Sequence, residues 1–117
     1  MNLNDALAAH VQWKINLRSA IERAETLDAD IIGRDDCCPL GQWIHGEGAR
    51  LYHDYQEFVL CKTEHAAFHR EAGYVARLIN DKNFDSAKQA IGMGSPYLHA
   101  SNGCGQAIIN LKYAIEK

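Results

Sequence analysis

The feature that most constrains this chain is the pentapeptide His65–His69 (HAAFH), which places two histidines four residues apart. On an α-helix this spacing puts the two side chains about 40° apart on one face, with Cβ atoms about 5–6 Å from each other. Two imidazoles so placed can reach one metal ion. Apart from the histidines and a cysteine, the same helical face is apolar and carries Phe58, Cys61, His65, Phe68, His69, Ala72, Val75 or Ala76, and Ile79. The pair is therefore predicted to point into a core, and other parts of the chain must supply any further ligands.

The length and the charge of the chain limit the classes of protein to which it can belong. A chain of 117 residues fits one domain, and we expect residues 1–117 to form it. The net charge of −3 does not indicate a basic stripe, so neither nucleic acid nor an anionic membrane is an expected partner. No apolar run approaches the ~20 residues of a membrane span, and the residues after Met1 do not resemble a signal peptide. We expect a cytoplasmic protein with no direct membrane insertion.

Helical periodicity covers most of the chain. Asn2 or Asn4 can cap a first helix, with Asp5 in its first turn. Steps of three and four residues then define one apolar stripe, interrupted by a single polar residue, His10. The stripe consists of Leu3, Leu7, His10, Trp13, Leu17, Ile21, Ala24 and Leu27. It fades at residues 28–30, and a connection is predicted to begin at Ile31.

A short second helix is predicted within residues 35–46, with Pro39 in its first turn and Gly46 or Gly48 at its end. Its buried face is formed by Leu40, Trp43 and Ile44. Further helices are predicted over about 51–80 with a break near 53–54, over a short stretch from Phe84 to Ile91, and from Ser95-Pro96 onward. The fold class is therefore all-α, a bundle of four main helices with short additional helices.

The six histidines divide by helical face. His45 and His53 lie in polar stretches, and His99 shares its face with polar residues. Only His10, His65 and His69 lie on core-facing stripes. A lone core histidine is usually a hydrogen-bonded structural residue. Three converging imidazoles, two of them at ligand spacing, instead favour a metal site, because without a metal several buried donors and acceptors need partners.

The four cysteines supply candidates for a fourth ligand. Without secretory features they are expected to be thiols, and a bridge between the neighbours Cys37 and Cys38 would be strained. Cys61 continues the stripe of His65 and His69, but the three residues span ~12 Å of helix axis, too long for one tetrahedral ion. Cys38, at a helix start where N–H groups favour a thiolate, is the better ligand. The other three cysteines are expected to be thiols without a chemical role or small buried hydrophobic residues: Cys37, Cys61 and Cys104.

These elements resemble a known family. The segment Cys38–Trp43 (CPLGQW) is similar to the Cys-x-Leu/Phe-Gly-x-Trp signature of chemoreceptor zinc-binding (CZB) domains. His10 with Trp13 resembles the histidine and tryptophan of that family's first helix, and His65–His69 resembles its His-x-x-x-His element. The resemblance implies that the zinc ligands are His10, Cys38, His65 and His69. It also implies a helical sensor domain, often dimeric, that acts with bacterial chemoreceptors or diguanylate cyclases in cis or in trans.

A His₃Cys ligand set suits Zn²⁺, which takes nitrogen and sulfur ligands in tetrahedral geometry. Four protein ligands leave no open position for water or substrate, and the pentapeptide lacks the glutamate of the His-Glu-x-x-His motif. We therefore predict a regulatory domain and no enzyme. Its input is either zinc availability or an oxidant that converts the Cys38 thiolate to a sulfenic acid. The chain contains neither a signalling coiled coil nor a cyclase domain, so it does not identify the effector.

Two other classes of protein remain open from the sequence. A di-iron bundle of the hemerythrin type is also rich in histidine, but it needs carboxylate ligands on its core faces, and the apolar stripes carry none. A metal-free helical interaction domain would contain the same three histidines as ordinary core residues. A visible absorption band after iron loading would support the first, and zinc-independent melting would support the second.

Overall fold

The computed structural model describes residues 1–116, so Lys117, the last residue of the predicted domain, lies outside the described part. Three helices are long: α1 (Leu3–Arg23), α5 (Gln56–Asn80) and α7 (Pro96–Glu116). Four are short: α2 (Ala29–Ile32), α3 (Pro39–Ile44), α4 (Glu47–Tyr52) and α6 (Phe84–Ala90). The described residues contain no strand, which confirms the predicted all-α bundle with short additional helices.

The core lies between the long helices. The most extensive contact joins α5 and α7, which run antiparallel: Glu64 lies against Gly103, and the ring of Phe68 lies 5.7 Å from that of Tyr97. Helix α1 packs against α7, and its first residues lie near the end of α7. The predicted stripe of α5 is buried throughout, from Phe58 to Ile79. Apolar burial along these three helices is the main source of stability.

The first helix begins where the sequence predicts and ends earlier. The side chain of Asn2 caps it by accepting a hydrogen bond from the Asp5 backbone N–H at 3.1 Å. The prediction that its periodicity continues through Ala24 and Leu27 is wrong. Ala24 adopts a left-handed conformation with φ of 54° and terminates the helix by donating its N–H back to the carbonyls of the last turn. Leu27 nevertheless packs against the core from the following connection.

The connection after α1 contains a short helix, α2, where the sequence predicts only a link. The Asp28 side chain caps it, accepting from the Ile31 N–H at 3.2 Å. Helix α2 packs on α5. Its carboxyl end passes so close to α5 that a Cβ on Gly73 would lie 2.6 Å from the Gly33 Cα atom. A glycine at position 73 is what permits this approach.

The two helices α3 and α4 complete the fold at one side of the bundle. Leu40 and Ile44 of α3 are buried, while Trp43 is partly buried with its ring 5.9 Å from Tyr52 and 6.0 Å from Phe58. The predicted break near residues 53–54 is present, since α4 ends at Tyr52 and α5 begins at Gln56. Helix α4 starts at Glu47, a few residues before the predicted start near Leu51. Within residues 1–116, no helix is both long enough and apolar enough to cross a membrane.

Candidate metal centre

Three helices bring one histidine–cysteine cluster together. His10 comes from the middle of α1, Cys38 is the N-cap of α3, and His65 and His69 lie one turn apart on α5. One potential ligand atom from each residue lies within 4.8 Å of the corresponding atoms of the other three. The histidines are buried and Cys38 is half-buried. The four residues predicted from the sequence therefore meet at one point, whereas His45, His53 and His99 are exposed.

The separations within this cluster fit a tetrahedral metal. The Cys38 Sγ atom lies 3.2 Å from His65 Nε2, 3.5 Å from His69 Nε2 and 3.9 Å from His10 Nε2. Zinc–nitrogen bonds of about 2.0–2.1 Å and a zinc–sulfur bond of about 2.3 Å at the tetrahedral angle require sulfur–nitrogen separations of about 3.6 Å. The observed distances lie on both sides of that value. The side chains are therefore arranged as the ligands of a small tetrahedral ion would be.

Hydrogen bonds fix which nitrogen faces the cluster. His10 Nδ1 donates to the Ala6 carbonyl at 2.7 Å, and His69 Nδ1 donates to the Ile32 carbonyl at 2.8 Å. Because carbonyl oxygens only accept, both Nδ1 atoms carry the proton, and both Nε2 atoms present a lone pair. Such backbone partners are typical of metal-bound histidines.

A metal ion satisfies this arrangement better than hydrogen bonds do. The Cys38 thiol has one proton to donate, yet the Nε2 lone pairs of His10 and His69 both face it, together with Nε2 of His65. Among the described residues, the buried His65 Nδ1 has no hydrogen-bond partner. Without a cation, at least one buried lone pair stays unsatisfied, which costs about 1–3 kcal/mol. The donor set therefore fits Zn²⁺.

The electrostatics keep the cluster uncharged when no metal is bound. Burial lowers the pKa of His10 and of His69, and burial together with the neighbouring imidazoles lowers the pKa of His65 to about 3. Burial raises the pKa of the Cys38 thiol, although the Gly41 N–H, which donates to Sγ at 3.3 Å, acts in the opposite direction. The backbone N–H groups at the start of α3 thus favour the thiolate as expected, but in the metal-free chain desolvation outweighs their effect on the pKa.

The glycine of the Cys38–Trp43 segment has a steric role. A Cβ atom on Gly41 would overlap the backbone carbonyl of Asp35, which crosses directly over the first turn of α3. Because of this close crossing, the chain that precedes Cys38 folds back onto α3, the helix that Cys38 caps. The N-cap position then directs the Cys38 Sγ atom towards both Gly41 and the histidines.

The other cysteines lie outside the cluster. Cys61 and Cys104 are buried between α5 and α7, and burial raises the pKa of each thiol to about 12. Both therefore stay protonated and act as small hydrophobic residues, as predicted. Cys37 is half-buried, and its thiol donates to Asp36 Oδ1 at 3.5 Å.

Sequence reasoning missed the groups that orient the ligands. The Ile32 carbonyl comes from α2, which the periodicity did not reveal. The Ala6 carbonyl, four residues before His10 on the same helix, was accessible from helical spacing alone. An exposed pair between His45 Nε2 and Asp35 Oδ2, 3.1 Å apart, joins the end of α3 to the chain before it and had no sequence signal.

Comparison with known families identifies the domain. The family model described as the chemoreceptor zinc-binding domain matches residues 10–76, which is more than half of the chain and includes all four clustered residues. The chain belongs to the chemoreceptor zinc-binding (CZB) domain family. Searches of curated proteins and of solved structures gave no significant match.

The family assignment and the geometry agree. CZB domains are regulatory sensory domains, and the His₃Cys group fits the zinc-binding function that the family description states. Within residues 1–116, no carboxylate belongs to the cluster. The di-iron alternative requires carboxylate ligands, so this cluster does not support it.

Proposed function

We propose that this CZB domain is a zinc-binding sensory module in which His10, Cys38, His65 and His69 bind one Zn²⁺ ion. The observation that carries the proposal is the convergence of four ligand atoms from three separate helices within 4.8 Å of one another. The protonated Nδ1 atoms of His10 and His69 support it, because they leave Nε2 free to bind metal.

The proposed role of the metal is regulatory. Four protein ligands would complete the coordination sphere. Zinc bound in this way would cross-link the helices and would have no open position for water or substrate. His10 would connect α1 to the centre and Cys38 would connect α3, while α5 supplies two ligands. Helices α1 and α3 make few contacts with α5 elsewhere, so their attachment to α5 depends strongly on this cluster.

Two inputs follow from the ligand chemistry. The first is zinc availability, since loss of zinc would loosen the attachment of α1 and of the Cys38 segment to α5. The second is oxidation of Cys38, the one sulfur ligand. A peroxide or hypochlorous acid would transfer one oxygen atom to the Cys38 thiolate and leave as hydroxide or chloride, forming a sulfenic acid that binds zinc more weakly. The half-buried position of Cys38 supports access for such small oxidants.

The proposed output is bacterial signal transduction. The family description supports a chemoreceptor as the effector in chemotaxis, and a diguanylate cyclase is the other candidate, in cis or in trans. We also propose a cytoplasmic homodimer. Val11 and Ile15, on the side of α1 that faces away from the core, are 60% and 57% exposed and support pairing with a second subunit.

The first experiment is the metal content of the purified protein and of two ligand variants. We expect one zinc per chain, with zinc binding strongly weakened in Cys38→Ala and His65→Ala. The matched controls are Cys61→Ala, which removes a buried thiol outside the cluster, and His99→Ala, which removes an exposed imidazole; both should retain zinc.

Other outcomes separate the remaining hypotheses. Full zinc affinity in Cys38→Ala would exclude Cys38 as a ligand, and an unchanged oxidant response in that variant would exclude oxidant sensing through Cys38. Melting that does not depend on zinc in the unmodified protein would support a metal-free interaction domain. A visible absorption band after iron loading would support the di-iron reading.

A further inference from the structure

Helix α2 is fastened to α5 at two places outside the cluster. At its amino-terminal side, the Asn80 side chain pairs with Leu27 through two hydrogen bonds: Asn80 Oδ1 accepts from the Leu27 N–H at 2.7 Å, and Asn80 Nδ2 donates to the Leu27 carbonyl at 2.8 Å. At its carboxyl-terminal side, Gly33 lies against Gly73. The two attachments bracket the four residues of α2.

The attachment at Gly73 depends on the absence of a side chain. A Cβ atom there would lie 2.6 Å from the Gly33 Cα atom, closer than real Cβ contacts come, and 3.1 Å from the Gly33 nitrogen, which is tighter than most of them. Both neighbouring atoms belong to backbone, which cannot move aside as the end of a long side chain can. An alanine at position 73 would therefore push the carboxyl end of α2 away from α5.

The carboxyl end of α2 is also where the metal cluster meets the backbone. Ile32, the residue before Gly33, provides the carbonyl that accepts from His69 Nδ1 at 2.8 Å. On α5, Gly73 lies one turn after His69, on the same face. The distance between α2 and α5 at Gly73 therefore controls whether this hydrogen bond forms.

We infer that Gly73 and Asn80 are positioning residues of the metal centre. They hold α2 against α5 so that the Ile32 carbonyl keeps the proton on His69 Nδ1 and directs Nε2 towards the metal. The inference rests on the proposed zinc site. Asn80 acts from about 16 Å along α5, eleven residues beyond His69, and it lies outside the residues that match the CZB family.

The test compares two glycine variants in the full chain. In Gly73→Ala we expect zinc affinity to fall about 10- to 100-fold, the usual effect of losing an outer-shell partner of a metal-bound histidine. The matched control is Gly105→Ala on α7, where the new Cβ would meet Leu7 Cδ1 at an ordinary 3.5 Å. That variant should bind zinc as the unmodified protein does. Affinity is measured by competition with a chromophoric chelator.

A second readout is independent of zinc. In ¹⁵N-edited NMR spectra of the metal-free protein, the His69 Nδ1 proton should give a slowly exchanging, hydrogen-bonded signal. We expect this signal to persist in Gly105→Ala and to disappear in Gly73→Ala. A merely destabilising substitution would lower the melting temperature without removing the signal from the folded protein.

The outcomes distinguish this inference from the proposed function. If Gly73→Ala keeps both the zinc affinity and the His69 signal, the positioning role is wrong. If the unmodified protein binds no zinc, the proposed function fails, and the NMR comparison still tests the positioning of His69.

If Gly73→Ala does not fold, Asn80→Ala takes its place, with Asn83→Ala as its control, because the exposed Asn83 side chain makes no capping hydrogen bond. The inference would be supported if Asn80→Ala, but not Asn83→Ala, weakened zinc binding and lost the His69 signal. It would be overturned if Asn80→Ala changed neither the zinc affinity nor the signal.

Discussion

The number of protons released when zinc binds is a sensitive test of the cluster. In the metal-free protein, burial raises the pKa of the Cys38 thiol above its ordinary value of 9.0, so the thiol is almost fully protonated at pH 7. The three histidines have lowered pKa values and are already neutral there. Because zinc binds the thiolate and neutral imidazoles, binding should displace one proton, from Cys38.

This count fixes the size and sign of the pH dependence. One displaced proton makes the apparent zinc affinity rise about tenfold for each pH unit, or about 100-fold between pH 6 and pH 8, equivalent to about 2.7 kcal/mol. The affinity falls as the pH drops, because protons compete for the sulfur. Imidazoles with the ordinary pKa of about 6.5 would each be about three-quarters protonated at pH 6 and would steepen the slope there.

Isothermal titration calorimetry in buffers with different ionisation enthalpies gives the proton count directly, and chelator competition gives the affinity at each pH. The Cys38→Ala variant is the control, since any residual binding should release no proton. A count of two or more at pH 6 would show that the histidines are not held neutral. A count near zero at pH 7 would show that Cys38 is already a thiolate, and either result would refute this account of the cluster.

Three further results are expected. The zinc-free protein should lose stability as the pH falls below about 6.5, because histidines of the unfolded chain take up protons there, whereas the buried histidines, whose pKa values are lowered, do not. Melting followed by circular dichroism between pH 4 and 7.5 measures this change. A melting temperature that does not vary with pH would contradict it. Gly41→Ala should weaken zinc binding at least tenfold by pushing the Asp35 carbonyl off α3 and displacing Cys38, as chelator competition would show; unchanged affinity would exclude this steric role. Tyr97→Phe should raise the free energy of unfolding by about 1 kcal/mol in urea titrations, because the buried Tyr97 hydroxyl has no hydrogen-bond partner within residues 1–116; a loss of stability would show that this hydroxyl is bonded.

The parts of the cluster that the sequence predicts are those that depend on local spacing. His65 and His69 share a face because they are one helical turn apart, and His10 stands out as the one polar residue on an apolar stripe. Cys38 precedes a proline and a helix, a pattern that marks an N-cap position, and the structure places it there. Local periodicity thus predicted the three histidines, whereas Cys38 was selected because Cys61 lies too far along the helix axis and because of the family resemblance.

The parts that the sequence does not predict depend on distant contacts. Helix α2 has four residues, too few to show a helical period, and its position is fixed by Gly73 and Asn80 far along the chain. The pKa of Cys38 likewise depends on burial by other helices, which outweighs the local effect of α3. Tertiary packing decides both, so neither could be inferred from neighbouring residues.

The position of Trp43 provides an intrinsic optical signal. Its indole is on α3, close to Tyr52 and Phe58, and Cys38 is the N-cap of the same short helix. The chain has one other tryptophan, Trp13 on α1, so a Trp13→Phe variant would leave Trp43 as the only indole fluorophore. Movement of α3 into solvent would shift its emission to longer wavelengths. The state of the Cys38 segment can therefore be followed in real time by fluorescence, without an added label.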